Sequence, residues 1–297
     1  MDQEYKKNFL EAGKIASAVR AHGKSLIIRG ASYNEVIAKI RSEIKSLGAI
    51  PAFPPQIALD SVAAHYLPMP NKDIIFTSEL VKLDVGICVN GAIGDCATSV
   101  DLSGKYQHIV DAAEEALAAA TALVKAGITV SEIGSAIEKA ILSKGLKPIR
   151  NLTGHGLGKF KVHTAPHFPN YNDNSKYTLK PGMTFAIEPF ATNGAGWIYD
   201  AGNATIFSLL KSNKKYTGFV DEIYQVIKNI GQLPFCTHDL MSPNTPLDLV
   251  KKALKILIKD HVIADYAPLV DEKHGVVAQA ENSFLIDEDG VVTVTTF

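Results

Sequence analysis

Between Lys82 and Val100 two apolar runs flank Asn90-Gly91, and each carries a carboxylate where a core residue belongs, Asp84 in the first and Asp95 in the second. Asn-Gly readily takes the positive φ angles of a two-residue turn, so the stretch reads as an antiparallel β-hairpin. A two-residue loop there sets Gly86 opposite Asp95. Asp84, two residues before Gly86, then shares that sheet face. The two acids become diagonal neighbours, with Cα atoms about 7–8 Å apart. Buried carboxylates that close repel one another and lose their hydration. A shared proton or a cation between them resolves the conflict.

Such a hairpin needs a body around it. With 297 residues, 46% hydrophobic and 21% charged, the chain has a soluble globular composition, enough for one large domain or two small ones. A net charge of −1 gives no global electrostatic case for nucleic acid or a membrane. Three cysteines make no disulfide framework, and Cys88 and Cys96 read as small core residues rather than ligands. The first residues lack the apolar core of a signal peptide. No apolar run reaches the roughly 18 residues of a membrane span. The expectation is a cytoplasmic protein.

Helical spacing marks residues 3–23, with Phe9, Ala12, Ile15, Ala16 and Val19 on one face. Ser32 and Glu35 have the spacing of a capping box for a helix to about Leu47, ended by Gly48. Three prolines keep 51–59 extended. His65 follows in an apolar setting, either a satisfied core histidine or a functional one. An alanine-rich helix is expected over 105–126, and Thr129 with Glu132 caps another to about Ser143. Helix, helix, strands therefore occurs twice, which suggests a coarse internal duplication.

The second half carries the remaining polar anomalies. His155 lies among Gly154, Gly156 and Gly158, which let the backbone bend or approach a neighbour closely; a turn residue and a functional one are both open. His163 lies eight residues on. Glu188 ends an apolar strand behind a Pro-Gly turn, and Pro189 suggests an edge or strand end. Over 207–270 helical patterns dominate, at 219–230 and 246–261, with Thr245 as N-cap of the second. Lysines 251, 252, 255 and 259 decorate that helix and read as a solvated face. Glu281 interrupts an apolar strand as Asp84 does, and a last strand is expected over 291–297.

Two aspartates, a histidine and two glutamates in this order resemble the metal site of the methionine aminopeptidases. These belong to the wider pita-bread hydrolases, which include prolidase and aminopeptidase P. The motifs are Ala63-Ala-His65-Tyr, Asp84-Val-Gly with Asp95 beyond, Gly154-His155, Val162-His163, Ala186-Ile-Glu188 and Ala278-Gln-Ala-Glu281. The likeness runs from about residue 3 to the C-terminus. It implies an α+β pita-bread fold over 1–297: pseudo-two-fold αβ halves, a curved antiparallel sheet covered by helices, and a helical, winged-helix-like insertion at 207–270. Glu281 lies 93 residues after Glu188, a separation similar to that of type 2 enzymes, and the lack of an N-terminal extension resembles their archaeal form. Two features depart from type 2. Gly154-His-Gly-Leu-Gly is closer to type 1 and aminopeptidase P, and Asn282-Ser283 replaces the usual His-Thr.

The resemblance implies metal-dependent removal of the initiator methionine from nascent chains with a small second residue. It implies two divalent metal ions, Asp84 on one, Asp95 and Glu281 bridging, His155 and Glu188 completing the second. Four carboxylates balance two such cations, and Co, Mn, Fe or Zn suits the donor set. Glu188 is the implied proton shuttle. His163 is implied to donate a hydrogen bond to the substrate carbonyl, and His65 to contact the substrate backbone. Phe53 and Val162 are implied to line the methionine pocket. The partner is the nascent peptide, with the ribosome a candidate contact, no need of nucleic acid or membrane, and a monomer as the expected state. An Xaa-Pro peptidase is a rival reading, encouraged by Glu188-Pro189 and the glycine motif. A non-catalytic RNA- or ribosome-binding relative is another; it predicts lost ligands, whereas all five positions here hold competent side chains.

Overall fold

The structure is a computed structural model and describes residues 1–210, 213–290 and 292–294. Helix α1 (Gln3–Leu26) buries the expected stripe of Phe9, Ala12, Ile15, Ala16 and Val19. It lies on the hairpin of strands Leu80–Val89 and Ala92–Asp101, whose register sets Gly86 against Asp95 and Asp84 against Ala97. The turn takes φ 50° at Asn90 and 93° at Gly91, as its residue types favour. Close approach of the helix needs Gly94, where a Cβ would lie 2.6 Å from the Ala12 carbonyl.

Helix α2 (Tyr33–Ser46) joins α1 in covering the hairpin. Val81, Leu83, Val85 and Ile87 enter the core with Tyr33, Ile40 and Ile44. Strand alternation therefore turns Lys82, Asp84 and Gly86 to the opposite face. Lys82 is buried there and donates to the Asp60 and Val277 carbonyls, 2.8 Å each. Only the first half of the expected capping box forms at α2. Ser32 Oγ accepts from Glu35 N (3.2 Å) but donates to Asp73 Oδ2 (2.6 Å), and Asp73 Oδ1 accepts from Asn34 N (3.1 Å). A carboxylate from a distant loop thus caps this positive helix end.

The second half repeats the layering. Helix α3 (Gln107–Leu123) and helix α4 (Val130–Ser143) pack together over a five-stranded sheet. Its order is Val292–Val294, Asn282–Ile286, Thr184–Ile187, Thr153–Gly158, Lys161–Pro169. Positions 291 and 295–297 of the expected last strand lie outside the described residues. Thr129 and Glu132 make the complete capping box of α4. Phe168, Phe185 and Phe284 stack beneath the helices, with centroids 4.7 and 5.5 Å apart. Every strand pairing among the described residues is antiparallel.

The halves meet where Glu281 N donates to the Ala97 carbonyl (3.2 Å). On either side of this bridge a serine hydroxyl stands in for a direct backbone pair. Ser283 Oγ accepts from Asp95 N and donates to Asp95 O, 2.7 Å each. Ser99 Oγ accepts from Gln279 N (2.9 Å) and donates to Gln279 O (2.7 Å). From α1, Arg20 reaches the Glu281 carbonyl (2.8 Å) and Asn282 Oδ1 (2.9 Å).

Between the glutamates the chain is not purely helical. Strand Ile206–Leu209 pairs with Phe235–Cys236 on one side and Ile263–Tyr266 on the other. Helix α5 (Gly218–Ile230) and helix α6 (Leu247–Lys259) share an apolar core with this small sheet, which contains Phe207, Ile223, Ile227, Leu254 and Leu257. Strands of two and four residues are too short to show a period of two. The N-cap of α6 is Pro246, without a side-chain cap, rather than Thr245. Thr245 instead closes a tight turn with Ser242, Oγ to Oγ1 at 2.9 Å.

Candidate metal centre and its cavity

Each acid reaches the site by a local device. Asp84 and Asp95 come from the inner face of the first hairpin. Glu188 follows strand Thr184–Ile187, and Glu281 fills the gap between strands Val277–Gln279 and Asn282–Ile286. His155 lies within strand Thr153–Gly158, so the turn reading is set aside. The flanking glycines allow close strand approach: a Cβ at Gly154 would lie 2.5 Å from Ala186 O, and one at Gly156 2.3 Å from Ala165 O.

All five side chains line one cavity of about 330 Å³. His155 Nε2 is 3.8 Å from Asp95 Oδ2 and 3.6 Å from Glu188 Oε1. Donor atoms of Asp95, His155 and Glu281 lie within 4.8 Å of one another, and all three residues are buried. Glu188 Oε2 accepts from Gln279 Nε2 (3.3 Å).

Burial, then mutual repulsion, controls their ionisation. Burial raises the Asp84 carboxyl to about 7, opposed by a hydrogen bond from Gln279. It also lifts Asp95 well above the usual range, with Asp84 adding repulsion. Glu188 is raised by burial and then by Asp84 and Asp95. Glu281 is raised by burial, then by Asp95, Glu188 and Asp84. Burial lowers His155 to about 3, with His163 next in effect, so its imidazole is neutral and able to ligate.

These residues fit divalent cations. Asp84 Oδ1 and Asp95 Oδ1 are buried without a hydrogen-bond partner, a costly state unless a ligand completes them. No lysine or arginine among the described residues lines the cavity to offset four carboxylates. A hard oxygen-rich set with one imidazole suits Mn, Fe, Co or Zn.

The other expected site residues line the same cavity: Phe53, His65, Val162 and His163. His65 takes a left-handed φ of 60°, held by its N–H donating to Gln56 Oε1 (2.8 Å). Its ring lies edge-on to Tyr266 at 5.6 Å. His163 stands edge-on to His155, centroids 4.3 Å apart. His163 keeps an exposed edge, yet loss of hydration within the cavity lowers its pKa, with His167 second, and burial lowers His65 to about 4, with His163 second. Both rings are therefore neutral near pH 7 and keep one N–H to donate.

Sequence reasoning missed Gln56, Tyr266 and Gln279. Gln279 was findable, because alternation from Glu281 sets it on the same face. Gln56 faces Asp84 across a strand pair that the proline-rich segment does not advertise. Tyr266 arrives from a short strand whose pairing is not local.

Comparison with known proteins agrees with the geometry. Residues 7–228 match the model of metallopeptidase family M24. The chain is 41% identical to the methionine aminopeptidase of Archaeoglobus fulgidus, covering 100% of both. Its fold matches the crystal structure of a methionine aminopeptidase from Thermotoga maritima at TM-score 0.72 and 20% identity, covering 100% of this chain and 98% of that one. It also matches a thermophilic Arx1 at TM-score 0.86 and 13% identity, covering 100% and 91%. At those identities the two structures speak for the pita-bread fold alone.

Proposed function

The chain belongs to metallopeptidase family M24 and acts as an aminopeptidase on N-terminal methionine, and we propose that Asp84, Asp95, His155, Glu188 and Glu281 hold two divalent cations for that reaction. The observation that carries the ligand set is the convergence of four carboxylates and one neutral imidazole, with two orphaned oxygens and no lysine or arginine among the described lining residues. When bound, such cations supply positive charge that polarises the scissile carbonyl and acidifies an attacking water.

The chain's own groups do the rest. Glu188 borders both His155 and the cavity and relays the proton from water to the leaving amine. His163 donates a hydrogen bond to the scissile carbonyl as negative charge grows there. His65, with its backbone held by Gln56, contacts the substrate main chain. Phe53 and Val162 give the methionine side chain an apolar wall. Residues 207–270 act as an insertion subdomain of the type 2, archaeal kind, built as a small sheet with two helices. The natural substrates are nascent chains with a small second residue, met in the cytoplasm by a monomer. No helix among the described residues is long and apolar enough to cross a membrane.

Chelator-stripped protein should regain cleavage of Met-Ala-Ser on addition of Co, Mn, Fe or Zn, and leave an Xaa-Pro dipeptide intact. Preferential cleavage of the proline peptide would overturn the reading. Asp95→Ala should abolish both activity and metal uptake.

A further inference from the structure

A second depression, about 880 Å³, adjoins the catalytic cavity and shares Val162, His163, Pro234 and Tyr266 with it. One wall is the hairpin tip bearing Phe160 and Lys161. The other is α5, with Tyr224 and Lys228. Phe53 and the carboxylates line the catalytic cavity alone, so the second depression leads away from the metal ligands.

Its charge is one-sided. Lys161 and Lys228 line it and, among the described residues, no carboxylate does, although the chain as a whole carries a net charge of −1. Both lysines are exposed. Among the described residues neither enters a salt bridge. Lys228 Nζ lies 4.8 Å from the centroid of the Tyr224 ring, which holds it on the groove side of the helix. Asp221, on the same helix, accepts from Gln225 and does not line the groove.

We propose that this groove receives the substrate chain beyond its second residue, and that Lys161 and Lys228 favour acidic side chains there. The inference rests on the methionine-removal reading, since His163 at the junction then marks the scissile carbonyl. A peptide leaving it extended advances about 3.3–3.6 Å per residue, and the groove is the adjoining space. Two exposed cations, with no carboxylate among the described lining residues, attract acidic residues by charge alone, so the preference is graded and sensitive to salt.

The test compares kcat/KM for Met-Ala-Ser, Met-Ala-Ser-Glu-Glu-Glu and Met-Ala-Ser-Lys-Lys-Lys on metal-loaded protein. The acidic hexapeptide should be favoured over the basic one by about fivefold at low salt, with the ratio falling toward one near about 0.5 M NaCl. The double variant Lys161→Glu/Lys228→Glu should reverse the preference, with melting temperature and metal content confirming its fold. A wild-type ratio near one while Met-Ala-Ser is cleaved overturns the groove and spares the activity. So does a ratio that the double variant leaves unchanged. No cleavage of Met-Ala-Ser with any of the four metals overturns the activity reading and this proposal with it.

Discussion

Phe53 and Gly86 show how a single residue type shapes the cavity. A Cβ on Gly86 would lie 2.2 Å from Phe53 Cε1, so the ring rests on bare backbone two residues from Asp84 and opposite Asp95. Gly86→Ala displaces that ring into the space proposed for the methionine side chain. The expected result is a rise in KM for Met-Ala-Ser of about tenfold or more, at near-normal metal content; a parallel loss of metal would mean that the strand, not the ring, had moved. His163 is argued differently, because its ring touches His155 edge-on but is needed only as a donor to developing charge. His163→Ala should lower kcat about 100-fold while metal content stays near wild type, and an unchanged kcat would remove the histidine from the chemistry. Both residues were visible in the sequence as parts of motifs. The reason for Gly86 was not, because it depends on a ring from another segment, 33 residues earlier.

At the scale of elements the first hairpin was legible to the register, since Asn90-Gly91 leaves little choice of turn and alternation then sets every face. The seam between the halves was not legible. Its strands touch directly at Ala97 and Glu281, and the flanking positions are bridged by Ser99 and Ser283. Serine has no pattern that announces such a task. The seam carries Asp95 and Glu281 on facing strands, so its hydroxyls fix the spacing of two proposed ligands. Ser283→Ala removes the partner of both the buried N–H and the buried carbonyl of Asp95. Its expected cost is about 1–3 kcal/mol, measured by denaturant unfolding, together with weaker metal retention. Loss of stability with metal affinity intact would show that the seam does not set the site. Helix ends divide in the same way: the capping box at Thr129 closes locally, whereas Ser32 is completed by Asp73 from outside the window that sequence reasoning reads.

Over the whole molecule, two layered halves converge to hold four like charges in their common interior, and that arrangement stores instability which cations relieve. The sign follows from the ionisation of the metal-free protein. Burial raises Asp84 to about 7 and lifts Asp95, Glu188 and Glu281 as well. In the unfolded chain each of these acids titrates near about 4. Between those values these four acids bind more protons in the folded state than in the unfolded state, so their contribution to stability falls as pH rises. The acids whose pKa is lowered, such as Asp101 and Asp287, act in the opposite sense, and their contribution is lost only as pH drops through their own range below about 4. Across about pH 5 to 7 the cavity histidines oppose the cluster. His155 is lowered to about 3, His65 to about 4, and His163 is lowered too. The unfolded chain therefore binds more protons on its histidines until about pH 6.5, and stability rises with pH through them. The cluster is therefore read from the difference between metal-loaded and stripped protein. Saturating Mn or Co, which binds the folded form and competes with protons for the same oxygens, should raise the melting temperature more at pH 7 than at pH 5. A metal-induced rise in melting temperature no larger at pH 7 than at pH 5 would mean that the four carboxylates are not held together in one interior where cations and protons compete for them.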